Sequence, residues 1–301
     1  LNGNGEEEDQ DAAFFSEAKL VFSGSGSLTI NGNGLSQHAL CSDDVIEISS
    51  GNIIVTKAVK DGIHANDGIF ISGGTVNVTA AGDAIDGDEG NILISGGSIT
   101  TLNAAADVKG ISCDSTLVVT GGTLNLTVSG NQTKAIKSDQ AITLSGGAIT
   151  ITTSGNAVLE ASGTGFEPSY CTAIKSDDDV VCSGASITIL SSGKGGKGIS
   201  SDTDVEISSG TINITCTGNG ATYTNSLGQT DAYVATCITA DGNIDLSGGT
   251  ITISASGSGG KGISSDGNLG IGTETLSPVM KVTTTGSRIY ISGSGNNSQY
   301  A

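Results

Sequence analysis

The sequence has no tryptophan, two prolines and a single methionine, and aromatic residues make up 3% of its 301 positions. So little proline excludes a collagen-like chain or a proline-rich spacer. Apolar runs are only a few residues long, whereas a membrane-crossing helix needs about 20. Basic residues are scarce: 12 Lys and Arg stand against 31 Asp and Glu, for a net charge of −19. Duplex nucleic acid is therefore excluded as a partner, because binding it relies on cations that displace counterions. His38 and His64 are the two histidines. They support no Ser/His/Asp or Cys/His catalytic set, and no His-Glu-x-x-His or Gly-x-Ser-x-Gly motif occurs. None of the six cysteines (Cys41, Cys113, Cys171, Cys182, Cys216, Cys237) has Cys-x-x-Cys spacing, which argues against a zinc ribbon. Cys182 falls at an inward apolar position, whereas Cys216 and Cys237 flank an insertion that a disulfide between them would staple.

Glycine is abundant, at 47 residues, and one phrase recurs. It opens on a hexad of the type Lys-Gly-Ile-Ser-Ser-Asp and continues Ile-x-Ile-Ser-Gly-Gly-Thr-Ile-x-Ile. The clearest copies start at Lys134, Lys197 and Lys261. The sixth hexad position is Asp43, Asn66, Asp88, Asp114, Asp139, Asp177, Asp202, Asp241 and Asp266 in succession, and six of the eight steps fall between 22 and 26 residues. Each period holds three short runs of alternating apolar and polar residues, the pattern of strands. Gly-Gly between two of the runs supplies positive φ for a sharp corner. Asn-Gly hairpin signals do not recur, and a propeller blade needs about 40–45 residues.

The pattern predicts an all-β, single-stranded, right-handed parallel β-helix of about 9–10 rungs of 22–26 residues. One internal ladder then runs from Leu40 through Ile63, Ile85, Ile111, Ile136, Ile174, Ile199 and Ile238 to Ile263. A second runs from Ile46 through Ile69, Ile92, Leu117, Ile142, Val180, Val205 and Ile244 to Leu269. The helix is expected over 12–282, with a cap at 12–30 that opens on a short helix at 12–19. An acidic tether (1–11) precedes it, and a C-terminal cap (283–301) carries a closing strand at 288–291. Two rungs are longer by about 13 residues, near Gly155 to Tyr170 and Gly218 to Val234. Both insertions leave from the same corner.

Four features point to function. Nine carboxylates and two lysines lie between Asp43 and Glu89. In the repeat frame Asp61 and Asp83 share a column, as do His64 and Asp86, and Asn66 and Asp88, with Asp107 opening the next rung. Stacked at about 5 Å, such groups repel unless protonated or neutralised, and oxygen-rich clusters suit calcium. The alternative is a solvated acidic face. Secondly, the register aspartates are expected to form Asx-turns, with Lys137 and Lys175 placed to pair with them. Thirdly, the insertions contain Phe166, Tyr170, Tyr223 and Tyr233, and Lys194 and Lys197 lie in the turn between them. That outlines a groove with aromatic walls for sugar rings and a basic floor for uronate carboxylates. The competing reading is that these rings only pack the loops. Finally, the outward column Asn77, Thr100, Asn125, Thr150, Thr188, Asn213 and Thr252 is a polar strand face that a surface adhesin or an ice-binding protein would also present.

The hexads at Lys134, Lys197 and Lys261, with their Ser-Gly-Gly corners, resemble those of a bacterial family of secreted carbohydrate-binding proteins similar in fold to pectate lyases. The resemblance spans about Leu20 to Val282. It implies calcium on the acidic edge, at Asp83, Asp86 and Asp88 with Asp61, Asn66 and Asp107 nearby, and affinity for cellulose and polygalacturonate. The chain departs from true pectate lyases in lacking a clear base beside the acidic cluster. Its sole arginine, Arg288, lies at the far end, and Lys109 is the nearest candidate. The expectation is therefore a calcium-containing, non-catalytic binder of plant-type polysaccharide, monomeric and extracellular or on the cell surface, where a lipid anchor would hold it once its signal segment is removed; a calcium-dependent polysaccharide lyase is the alternative.

Overall fold

A computed structural model describes residues 12–34, 37–291 and 299–300; the expected tether at 1–11 lies outside them. The chain winds into a β-solenoid of about 11 turns, with no helix among the described residues. Each turn lays one strand on each of three faces. The first face is a ten-stranded parallel sheet built from the hexads. The other two faces join into one 18-stranded sheet, because Val180–Ser191 and Val205–Cys216 run unbroken through the corner between them.

Strand pairing superposes the residues that the repeat aligns. Ile63, Ile85, Ile111, Ile136 and Ile174 are register partners on the first face, and Ile69, Ile92, Leu117, Ile142 and Val180 on the second. All ten are fully buried. Alternation along each strand points one set of side chains inward, and only stacking encloses them. Cys182 takes its place over Leu144 in the same core.

Two corners depend on glycine. Gly147, second glycine of one Ser-Gly-Gly, has φ of 82°, and its counterpart Gly122 has 85°. At the corner after the third strand, Gly130, Gly155, Gly193, Gly218, Gly257 and Gly286 stack backbone on backbone. A Cβ on Gly193 would meet the Gly155 carbonyl oxygen at 1.7 Å.

The start of the chain departs from expectation. Residues expected to form a helix form the strand Ala12–Ser16, and Leu20–Phe22 and Ser27–Gly32 complete a full rung in place of a cap. The reason is tertiary: the next rung offers an open strand edge, and Phe14 settles in register over Leu40. At the other end Ile289–Tyr290 pairs antiparallel with Gln299–Tyr300, so the expected closing strand adds no rung. The described cysteines are all unbridged and buried. Cys216 and Cys237 meet through a thiol hydrogen bond in place of a disulfide. The Asn/Thr column is continuous from Asn77 to Thr252, and is followed by Lys281.

Candidate functional site

Hexad positions 1 and 4 face outward on the ten-stranded sheet, so each forms a column. The register makes position 1 run His38, Asp61, Asp83, Lys109, Lys134, Thr172, Lys197, and position 4 run Cys41, His64, Asp86, Ser112, Lys137, Lys175, Ser200. Acids and histidines thus occupy the early rungs and lysines the later ones.

The acidic rungs form a pocket of about 350 Å³ lined by Asp83, Asp86, Asp88, Lys109, Ser112 and Asp114 among others. Asp83 accepts from the Lys109 backbone N–H at 2.7 Å and from the Ser112 hydroxyl at 2.9 Å. The same hydroxyl lies 2.9 Å from Asp86 Oδ1, and Asp86 Oδ2 lies 2.9 Å from His64 Nδ1. Asp61, one rung earlier, accepts the Asp83 N–H at 2.6 Å, and Asn66 Oδ1 lies 3.1 Å from His64 Nε2. Burial pushes the Asp83 carboxyl up to about 6, against the pull of Lys109. Burial also acts on Asp86, but hydrogen bonds and charge from His64 and the Ser112 hydroxyl outweigh it and hold that carboxyl low. Asp88 is raised by burial and by Asp86, Asp114 and Glu89, and its φ of 43° is left-handed.

Five of the six expected metal ligands therefore gather on two neighbouring rungs. Asp107 does not join them by any contact described: its carboxylate is largely exposed and lies 3.8 Å from Lys134 Nζ. Lys109, in contrast, lines the same pocket as Asp83, Asp86 and Asp88, so a candidate base does stand beside the acids.

Three of the register aspartates form the ion pairs expected with Lys137 and Lys175. Asp139, Asp177 and Asp202 point outward and interleave with Lys137 and Lys175. Lys137 reaches Asp139 at 2.6 Å and Asp177, and Lys175 reaches Asp177 at 3.1 Å and Asp202. The corner is held by the serine one position earlier: Ser176 bonds the Gln140 carbonyl at 2.7 Å and accepts the Asp178 N–H at 3.1 Å. A small side chain buried under the corner reaches the backbone; the longer aspartate beyond it faces water.

The insertions are two β-hairpins, Val158–Ser162 with Gly165–Ser169 and Ala221–Thr224 with Thr230–Tyr233. They do not frame an open groove. Thr164 N–H bonds Ser226 O at 2.9 Å, and Phe166 bridges to Asn225, so the hairpins lean together. The cleft that exists lies at the foot of the first hairpin, about 400 Å³ in volume, lined by Lys134, Tyr170, Lys175, Lys197, Ser200, Asp202 and Asp241 among others. Lys197 Nζ sits 3.9 Å over the Tyr170 ring. Burial lowers Lys197 to about 8, despite Asp241 and Asp202. Burial also raises the Tyr170 hydroxyl, reinforced by Tyr223, Asp231 and Tyr233.

Tyr170, Tyr223, Tyr233 and Lys197 thus converge. Tyr233 is buried against Gly195 and packs its hairpin down, 6.1 Å from the Tyr223 ring. Phe166 at the hairpin contact and Lys194 at the exposed corner do not line the cleft. Sequence reasoning missed Lys134, Lys175, Asp202 and Asp241 there. The signal was available in the hexad, whose positions 1, 4 and 6 were already fixed in one frame.

A family profile described as carbohydrate-binding domain-containing protein matches residues 2–178. The chain belongs to this carbohydrate-binding domain-containing family. The matched span of the carbohydrate-binding domain includes the acidic pocket, Tyr170 and the first hairpin, and ends before Lys197 and the second hairpin. No curated protein and no solved structure matches the chain. Among the described residues, no helix is long and apolar enough to cross a membrane.

Proposed function

We propose that the chain is a calcium-containing extracellular protein that binds a plant-type polysaccharide, cellulose or polygalacturonate-like, without cleaving it. The carrying observation is the cleft at the foot of the first hairpin. Lys134, Lys175 and Lys197 supply cations for a uronate carboxylate, Asp202 and Asp241 accept hydroxyl hydrogen bonds, and Tyr170 offers a ring beside them. Family membership supports a saccharide as the ligand. Calcium is assigned to Asp83, Asp86 and Asp88, with Asp61 and Asn66 nearby. Carboxylates that raise one another's affinity for protons gain most from a hard cation.

The test is equilibrium binding of polygalacturonate and cellulose oligosaccharides, with Tyr170→Ala and Lys197→Met as variants. We expect each substitution to weaken binding about tenfold or more. Calcium should raise the melting temperature of chelator-treated protein. Failure of the native protein to bind either polymer, or full binding by both variants, would overturn the reading.

One observation favours a second reading, a calcium-dependent polysaccharide lyase. Lys109 shares a pocket with the proposed calcium ligands. In β-elimination the Lys109 amine would take the uronate C5 proton as the C4–O bond breaks and the departing oxygen takes up a proton from solvent; a calcium ion held by Asp83, Asp86 and Asp88 would acidify the C5 proton by neutralising the uronate carboxylate. Ultraviolet absorbance of an unsaturated product, lost in Lys109→Ala, would establish this; no product with calcium present would leave binding alone.

A further inference from the structure

His38 and His64 have no part in that reading, yet the fold brings them together. Strand pairing sets Leu40 against Ile63, so His38 lies beside Asp61, and His64 follows Asp61 by three residues. The imidazoles stack at 4.6 Å with 28° between their planes. Asp61 Oδ2 lies 3.3 Å from His38 Nδ1 and 3.9 Å from His64 Nδ1. One donor atom from each of the three residues lies within 4.8 Å of the other two. The side chains are 2% exposed for His38, 9% for His64 and 20% for Asp61.

We propose that His38, Asp61 and His64 form a site for a zinc-class divalent cation, which borders the proposed calcium ligands through Asp61 and Asp86 and is independent of the saccharide reading. A tetrahedral ion with bonds of about 2.0–2.1 Å holds its donors roughly 3.4 Å apart. The Asp61 separations bracket that spacing. Two imidazole nitrogens suit zinc and its neighbours and do not suit calcium, which takes oxygen ligands. Asp86 Oδ2, 2.9 Å from His64 Nδ1, is placed to complete the set or to leave one position open. Two carboxylates and two neutral imidazoles together balance a doubly charged ion. Asn66 Oδ1, 3.1 Å from His64 Nε2, orients the ring so that Nδ1 faces the site, as outer partners of metal-binding histidines do.

The experiment uses the full chain after chelator treatment. Calorimetric titration with zinc should show one equivalent bound in calcium-free buffer. Cobalt in its place should give visible absorption bands typical of nitrogen and oxygen ligation. His38→Ala and His64→Ala should each weaken zinc binding at least tenfold. The native protein supplies a check that does not depend on how the variants fold: its only two histidines give two imidazole side-chain signals in a ¹⁵N-histidine-labelled sample. Zinc should shift both. No zinc uptake, unchanged imidazole signals, or variants that bind as tightly as the native chain would overturn the site.

Discussion

At the scale of single residues, chemistry follows from which column a side chain occupies. Asp83 and Asp86 lie three residues apart in one hexad, yet burial raises the first while His64 and Ser112 hold the second low. Asp83 carries a pH signature. Its carboxyl is raised from 3.8 to about 6, so between those values the folded chain holds more protons than the unfolded one. Stability must therefore fall as pH rises through that window. In calcium-free buffer the native protein should lose roughly 2 kcal/mol relative to Asp83→Asn between pH 4 and pH 7, measured by denaturant unfolding. A difference between the two proteins that stays flat with pH would contradict the burial of this group.

At the scale of elements, corners and insertions decide what is displayed. The glycine stack after the third strand leaves no room for a methyl group. Gly193→Ala should cost about 2 kcal/mol or more in denaturant unfolding, because overpacking must move backbone. Gly26→Ala, with nothing within 4 Å, should leave stability unchanged within about 0.5 kcal/mol. Equal effects at the two positions would refute the stacked corner. Much of this level was legible in the sequence. Ladders such as Ile111 over Ile85 follow from period and alternation alone, and so does the site of each insertion. The leaning of the hairpins was not legible, because Thr164 and Ser226 meet through backbone atoms that carry no sequence signal. Nor was the first rung: Ala12–Ser16 becomes a strand because of the edge it meets, not because of its own composition. The partnership of His38 with Asp61 follows from the same register as the isoleucines, but hexad 38–43 is too degenerate to announce it.

At the scale of the whole molecule, stability is distributed along an axis. Each rung touches mainly its neighbours, and the core is one continuous column. Ile136, fully buried mid-stack, and Ile263, only partly buried near the end, occupy the same ladder. Ile136→Ala should cost about 2–5 kcal/mol and Ile263→Ala clearly less, read from denaturation midpoints. Equal costs would mean that the far end is covered by more than the described residues.

The glycine corner has a consequence for how such a protein changes over generations. There one glycine rests on the next through main-chain atoms, and the asparagines that follow (Asn131, Asn156 and Asn219) accept a backbone N–H of the next turn through their side-chain oxygens, so the axial rise is set at the corner itself. Both hairpins leave the solenoid within a few residues of that support, after Gly155 and Gly218. A segment spliced in beyond it can lengthen, shrink or be exchanged while the columns behind keep their spacing. The molecule thus separates the inheritance of its shape from the inheritance of its specificity.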